Sequence, residues 1–468
     1  MSGSVEIDAV LGSEPFSYLD HQTLEGLTAC YKGGSWRARQ VIHGAFESRS
    51  PAWRVAAFGA AVRRSIHLID VPDSLLGANL ATPAQLPTTA LKVEYVWFLF
   101  SQRAWKDILA FVGQTEPHDR LAFPGHVADI YFLAFVRSQV DRIAQGVDVD
   151  GFRQKASEIL TFIRISWPDM LARQDLYGAI VRHIQGDIAD ARAELAKVVG
   201  GPFIGPLEAA GHVLPAGRMR ANPEADHLSI YPSDRRAVSL VSLDRGYFDQ
   251  FAYAAAVRYV ETNRENGLHF HCVGFDPSNE IRAWSLPISV GVTVDSRDIS
   301  TLTANQRVGY FAGARYLHLP HYLPHYDAIH VCDIDGFVTR DIRTVEREMG
   351  SADVGLSSRV LDPGRRLARM PWEAIAAGSL LIRSTAGGAL FADAVAAYLA
   401  EALDRALKRG RPFWYADQNA LFYSWCDLKD RVQFIRLQPP VFRQENSWAL
   451  FEEIDQKLEF IKSHQISG

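Results

Sequence analysis

The chain has few cysteines, no long apolar run near its start and no large excess of charge of either sign. Its 468 residues include four cysteines, Cys30, Cys272, Cys332 and Cys426. They stand far apart and form no CxxC pair, which argues against a disulfide framework and against a structural zinc site. Forty-nine Lys and Arg face 54 Asp and Glu, for a formal net charge of -5. That balance does not favour nucleic acid or an anionic membrane as partner. The opening "MSGSVEIDAV" lacks a basic patch followed by an apolar run, so no secretory signal is expected. "YVWFLF", the most apolar stretch near the start, is far below the roughly 20 residues of a membrane span. Hydrophobic residues make up 48% and charged residues 22%. The expectation is a globular cytoplasmic protein without a transmembrane segment. Its length predicts two or three domains.

The hydrophobic period changes along the chain. Residues 1–230 read as helices only. In "QDLYGAIVRHIQGDIADARAELAKVV", Leu176, Ile180 and Ile184 lie at helical spacing and Gly186 and Asp187 make a turn. Ile188, Ala191, Leu195 and Val198 then restart the helix, with Asp187 as its cap. Such pairs resemble tetratricopeptide-like repeats, although no clean consensus recurs. Residues 212–236, rich in Pro, Gly and charge, read as a linker. From there to residue 468 strands alternate with helices. "AVSLVSLD", "LHFHCVGFD", "LPISVGVTVD", "DAIHVCDID", "ADVGLSSR" and "GSLLIRS" are the expected strands. Alternation of this kind implies an α/β sheet with helices on both faces, and ligands beyond the carboxyl ends of its strands.

One strand runs into two like charges, in "HYDAIHVCDIDGFVTRDI". Side chains alternate along a strand, so Asp333 and Asp335 are expected on one side, with His330 and Cys332 in the core on the other. A hard divalent cation would offset the repulsion of the two carboxylates and leave positions for phosphate oxygens. The bland alternative is a pair of turn-forming aspartates. Arg315 falls on the apolar stripe of the preceding helix, with Val308, Phe311, Ala312 and Leu319. A buried cation needs a partner, for which a nearby carboxylate such as Asp333 and an anionic substrate are compatible candidates. Pro320 and Pro324 interrupt the helix that would align His318, His321 and His325, so no zinc tract is expected there.

Residues 237–440 resemble the GT-A glycosyltransferases, a Rossmann-like α/β fold, nearest the retaining type of glycogenin and the lipopolysaccharide galactosyltransferases. The motifs are "VSLDRGYF", "ARYLHLPHYLPHYDAIHVCDIDGFV", "AAGSLLIRS" and "WYADQNALF", in that order. The resemblance implies an α/β GT-A domain over 231–468, preceded by an all-helical, repeat-like domain over 1–230. It implies a nucleotide-sugar donor, with a UDP-sugar expected, and Mn²⁺ or Mg²⁺ held by Asp333 and Asp335. Asp244 and Tyr247 would hold the base, and Asp333 and Gly378 would contact the donor. Arg315 would orient the sugar or phosphate. Asp417 and Gln418 would lie beneath the transferred sugar. The acceptor would be a protein, a glycan or a lipid-linked group, chosen by the helical domain.

The chain departs from the family at two points. Ala377 stands where the family has asparagine, and the C-terminal histidine motif that supplies a third metal ligand is missing, since His464 lacks its neighbours. An inverting enzyme would need a base, for which Glu373 and Asp417 are the carboxylates to test. Two other readings are a nucleotidyltransferase and a non-catalytic protein-binding module with a degenerate transferase domain. "SLDRGYF" has one Gly and one Arg where the former would carry a loop rich in both.

Overall fold

A computed structural model of the chain describes residues 82–86, 89–101, 103–144, 149–198, 203–217, 225–358, 369–411, 413–443 and 461. The helices expected before residue 82, and His464, lie outside the described residues. The chain divides into two compact units. One comprises Met1–Val140, Gly151–Gln174 and Ser447–Glu452, and the other Asp141–Asp150, Asp175–Asn446 and Glu453–Gly468.

The described part of the first unit is helical. It holds α1 (Thr89–Ser101), α2 (Trp105–Gln114), α3 (Pro117–Ala122) and most of α4 (Gly125–Ala144) and α5 (Val149–Ser166). The break after Ser101 is made by Arg103, at φ 54°. The aromatic-rich sequence of α1 buries Val93, Tyr95, Val96, Phe98 and Leu99, and α2 buries Ile108, Phe111 and Val112. Buried Asp119 accepts from Lys92 and Thr89, and fully buried Asp129 pairs with Arg173 at 3.0 Å.

The longest segment of the second unit, Asp175–Asn446, starts inside α6 (Leu171–Gln185), which a turn joins to α7 (Ile188–Leu195). Gly186, at φ 102°, makes that turn, a conformation that glycine adopts without steric cost. Asp187 occupies the cap position of α7, but its side chain makes no capping bond. Arg192 of α7 is buried at 5% exposure. Its Nη1 donates to both oxygens of Asp427, at 2.7 and 2.9 Å, and its Nε donates to the Leu214 carbonyl at 2.8 Å. Residues 175–217 therefore pack into the same body as the sheet.

That sheet has eight strands. They are β1 (Leu228–Tyr231), β2 (Ala237–Leu243), β3 (Gly267–Val273), β4 (Ser289–Asp295), β5 (Ala328–Cys332), β7 (Val354–Ser358), β8 (Ile375–Arg383) and β9 (Phe434–Arg436). A separate ribbon pairs β6 (Phe337–Val338) with β10 (Phe442–Arg443). The order across the sheet is β1-β4-β3-β2-β5-β8-β7-β9. Strands β4, β3, β2 and β5 run parallel, while β1 and β8 run antiparallel to their neighbours. The sheet is thus mixed. All seven residues of β2 and of β3 are buried, as central strands covered on both faces should be. The six strands read from the sequence are all present. The supposed linker also contains β1, a four-residue alternating edge strand paired with β4.

Helices α8 (Tyr253–Asn263), α9 (Ala304–Leu317), α10 (Ile342–Glu348), α11 (Ala386–Arg409) and α12 (Ala416–Leu428) complete the body. By length and composition α11 could cross a membrane, yet 61% of its apolar window is buried in the protein. Phe391, Val395, Tyr398, Leu399 and Ala402 form its core stripe, and Gly410 ends it in the left-handed region at φ 61°. His330 and Cys332 are core residues. His330 lies between the hydroxyls of Ser239 and Ser379, at 3.1 and 3.0 Å.

Candidate active site

Adjacent parallel strands β2 and β5 end at Leu243 and Cys332, so Asp244 and Asp333 emerge at the same edge of the sheet. Helix α9 runs beside them. A capping box between Thr303 and Gln306 fixes its start, and its last turn carries Arg315.

Arg315 is 2% exposed. Its Nη1 donates to the Cys332 carbonyl at 2.7 Å, and its Nη2 to Asp333 Oδ1 and, at 3.4 Å, to the Ala377 carbonyl. The hydroxyl of Tyr316 donates to the same Ala377 carbonyl. Burial disfavours the Arg315 cation, but Asp333 more than offsets this and raises its pKa above the ordinary value. The guanidinium thus holds Asp333 in place, while its Nε has no hydrogen-bond partner among the described residues. Removing one partner of a buried ion pair typically costs about 3–5 kcal/mol. Partial exposure of the Asp333 side chain, at 28%, softens that figure here.

Asp333 opens onto a small cleft of about 110 Å³. Gly378, Asp417 and Gln418 share its lining, with Phe413, Trp414 and Tyr415 on one wall and Gly309 and Ala312 of α9 on another. A Cβ at Gly309 would come within 2.8 Å of the Phe413 backbone. Glycine there lets the 413–418 segment lie against α9, which brings Asp417 toward Arg315.

Asp417 is not the cap of α12. Tyr415 takes that place, in the left-handed region at φ 64°, and forms no side-chain cap bond. A bulky residue in that region costs about 1–3 kcal/mol and persists only where its surroundings enforce it. Asp417 sits in the first helical turn and accepts the Gln418 N–H at 2.8 Å. It retains some surface in the cleft, but crowding by the protein dominates. Burial raises the pKa of its carboxyl, while Arg315 pulls it down and Asp333 pushes it up. One buried cation therefore holds two carboxylates that would otherwise repel.

The other expected residues lie elsewhere. Asp244 caps a short helical turn by accepting the Tyr247 N–H at 2.8 Å, and Tyr247 is 40% exposed with its ring 5.2 Å from Phe251. Neither lines the cleft. β5 stops at Cys332, so strand alternation does not reach Asp335, which is 7% exposed. Glu373 lies in the 3₁₀ turn Pro371–Glu373 ahead of β8. The Asp333 carboxylate suits a hard cation, since Mg²⁺-type sites use one or two carboxylates with phosphate and water oxygens. Among the described residues no third ligand gathers around it; the one group of three donors within ligating reach is His227, Asp295 and His318. The sequence reading missed Tyr316 and the carbonyl of Ala377. The Gly309–Gly313 spacing was available as a sign of close approach.

No protein-family model matches the chain, and no curated protein sequence does. Solved structures with partial similarity include the apo form of the glycosyltransferase GlyE of Streptococcus pneumoniae TIGR4, at 19% identity and a TM-score of 0.28, over 43% of this chain and 45% of that one. Mouse xyloside xylosyltransferase 1, also apo, is 15% identical with a TM-score of 0.27, over 43% of this chain and 84% of that one. The galactosyltransferase LgtC, in complex with donor and acceptor sugar analogues, is 19% identical with a TM-score of 0.28, over 40% of this chain and 70% of that one. The chain thus spans under half the length of the pneumococcal protein.

Proposed function

We propose that the protein is a metal-dependent GT-A glycosyltransferase that moves a hexose, with retention, from a nucleotide sugar to an acceptor in the cytoplasm. The observation that carries this reading is the cleft at the strand ends. There Asp333 and Asp417 converge around buried Arg315, with Gly378 and Gln418 beside them. The bond from the anomeric carbon to the diphosphate breaks and its electron pair leaves with the nucleoside diphosphate. The acceptor oxygen forms the new bond and gives up its proton to the departing diphosphate. Asp417 stabilises positive charge developing on the sugar. Gln418 donates a hydrogen bond to the sugar, and Gly378 lets the backbone approach it. Arg315 keeps the Asp333 carboxylate aimed at the cleft. Asp244 and Tyr247 meet the base. Asp333 and Asp335 would hold Mn²⁺ or Mg²⁺, which when bound supplies positive charge to the departing diphosphate.

Asp335→Asn is expected to lose divalent-dependent binding of a nucleoside diphosphate while the fold is kept. Calorimetry with UDP and Mn²⁺ reads this, and unchanged affinity would sink the metal assignment.

The helical part of residues 1–230, tetratricopeptide-like in this reading, selects the acceptor. Helices without a carboxylate cluster at a strand end offer a surface for a protein segment or a carrier. Residues 175–217 support the sheet unit through Arg192, so a truncation should keep α6 and α7. A chain starting at residue 168 is expected to bind UDP normally and to lose transfer to the natural acceptor. Transfer at the full-length rate would refute acceptor selection.

A further inference from the structure

A second cluster of ligating side chains is built at the carboxyl end of β4. Asp295 ends that strand. His227 directly precedes β1, whose Leu228 pairs with Asp295, and the Ser296 N–H donates to the His227 carbonyl at 2.9 Å. His318 follows α9, and its N–H donates to the Ala314 carbonyl at 3.0 Å. One donor atom from each of His227, Asp295 and His318 lies within 4.8 Å of the others.

Asp295 and His318 are fully buried, and the His227 side chain is 19% exposed. Among the described residues, neither ring nitrogen of His318 has a hydrogen-bond partner, nor does His227 Nε2. His227 Nε2 stands 3.6 Å from Asp295 Oδ1, too far for a hydrogen bond. Leaving a buried polar group unpartnered is costly, so each such case needs an explanation, and a ligand that takes the lone pairs is one. The carboxylate, by contrast, is firmly oriented. Its Oδ2 accepts from the Tyr310 hydroxyl at 2.7 Å and from His271 Nε2 at 3.1 Å, and its Oδ1 accepts the Arg297 N–H at 2.9 Å. The other nitrogen of His271 lies 2.5 Å from the Tyr322 hydroxyl. The His271 ring stacks on that of His318, at 5.4 Å and 10°. Metal ligands are characteristically held in this way by hydrogen bonds from outside.

We propose that His227, Asp295 and His318 bind one Zn²⁺-class transition-metal ion, separate from the ion of the sugar-donor cleft. Two imidazoles and a carboxylate form a set that borderline-soft cations prefer over Mg²⁺ or Ca²⁺. Bonds of about 2.0–2.2 Å need the three donor atoms to close to roughly 3.3 Å of one another, and water can take the fourth position. His227, the least buried of the three, is the way in. The ion would tie the short edge strand β1 to β4 and to the end of α9. The three positions are too far apart in the sequence for any ligand spacing to reveal them.

Full-length protein stripped with chelator and titrated with ZnCl₂ against a chromophoric chelator tests this. The expected result is one bound equivalent that raises the melting temperature. Affinity should fall at least about tenfold in His227→Ala and in His318→Asn, the scale of one lost ligand or supporting contact. It should persist in Asp335→Asn, which alters the donor site. His227 is partly exposed, so its variant keeps the test readable if His318→Asn does not fold. Three outcomes overturn the proposal: no zinc above background, equal affinity in His227→Ala, or loss of zinc in Asp335→Asn.

Discussion

Asp417→Asn is expected to cut sugar transfer at least about a hundredfold and to leave the melting temperature near wild type. The size follows from the loss of one preorganised electrostatic contact to a developing charge. Stability is spared for two reasons. Tyr415, not Asp417, holds the cap position of α12, so no capping bond is lost. Burial already works against the charged form of Asp417, so removing the charge also removes a desolvation cost. UDP binding should survive, because Asp417 is placed under the sugar and not against the diphosphate. Single-turnover transfer and thermal melting of the variant give the answer together. Wild-type transfer would leave Asp417 as only a first-turn acid on a helix dipole.

Acid is expected to remove a few kcal/mol of stability between pH 7.5 and 5.5, on the order of 1 kcal/mol for each of three buried histidines. His183, His269 and His330 are fully buried. Burial lowers their pKa from the ordinary 6.5 to about 4, 3 and 3, with His271 adding to the effect at His269 and Arg315 at His330. The unfolded chain therefore binds more protons than the folded one below pH 6.5. The stabilisation is whole above that pH and drains away as pH falls toward the folded values. Domains of this kind have only about 5–15 kcal/mol to lose. Urea midpoints across the range measure the slope, and a flat profile would mean that the three imidazoles are not buried as neutral rings.

The long periodic elements were legible in the sequence, and the short ones were not. β2, β3 and β5 were readable because short, mostly apolar runs bounded by turn residues fit buried strands better than helices of that length. The stripe of α11 and its stop at Gly410 were equally clear. β1 was hidden, because four alternating residues inside a Pro- and Gly-rich stretch carry almost no periodic weight, and only pairing with β4 makes them a strand. The two-aspartate motif was visible, but its geometry was not. Pleat alternation stops with the strand at Cys332, so the surroundings of Asp335 are set by tertiary packing. The sequence left Arg315 with a carboxylate and an anionic substrate as compatible partners, and the fold supplies the carboxylate, Asp333. The cap role weighed for Asp417 failed because a strained Tyr415, which no propensity favours, occupies the position. His318 looked inert beside His321 and His325, and its closest ligating neighbours come from strand ends distant in the chain.

The most direct measurement of the central claim is turnover of radiolabelled nucleotide sugars, UDP-sugars first, by the purified full-length protein with Mn²⁺ and with chelator. Release of nucleoside diphosphate with hydrolysis or transfer of the labelled sugar, dependent on the divalent ion and abolished in Asp417→Asn, is the predicted result. Folded protein that turns over no member of the panel in the presence of Mn²⁺ would contradict the assignment of this cleft to glycosyl transfer.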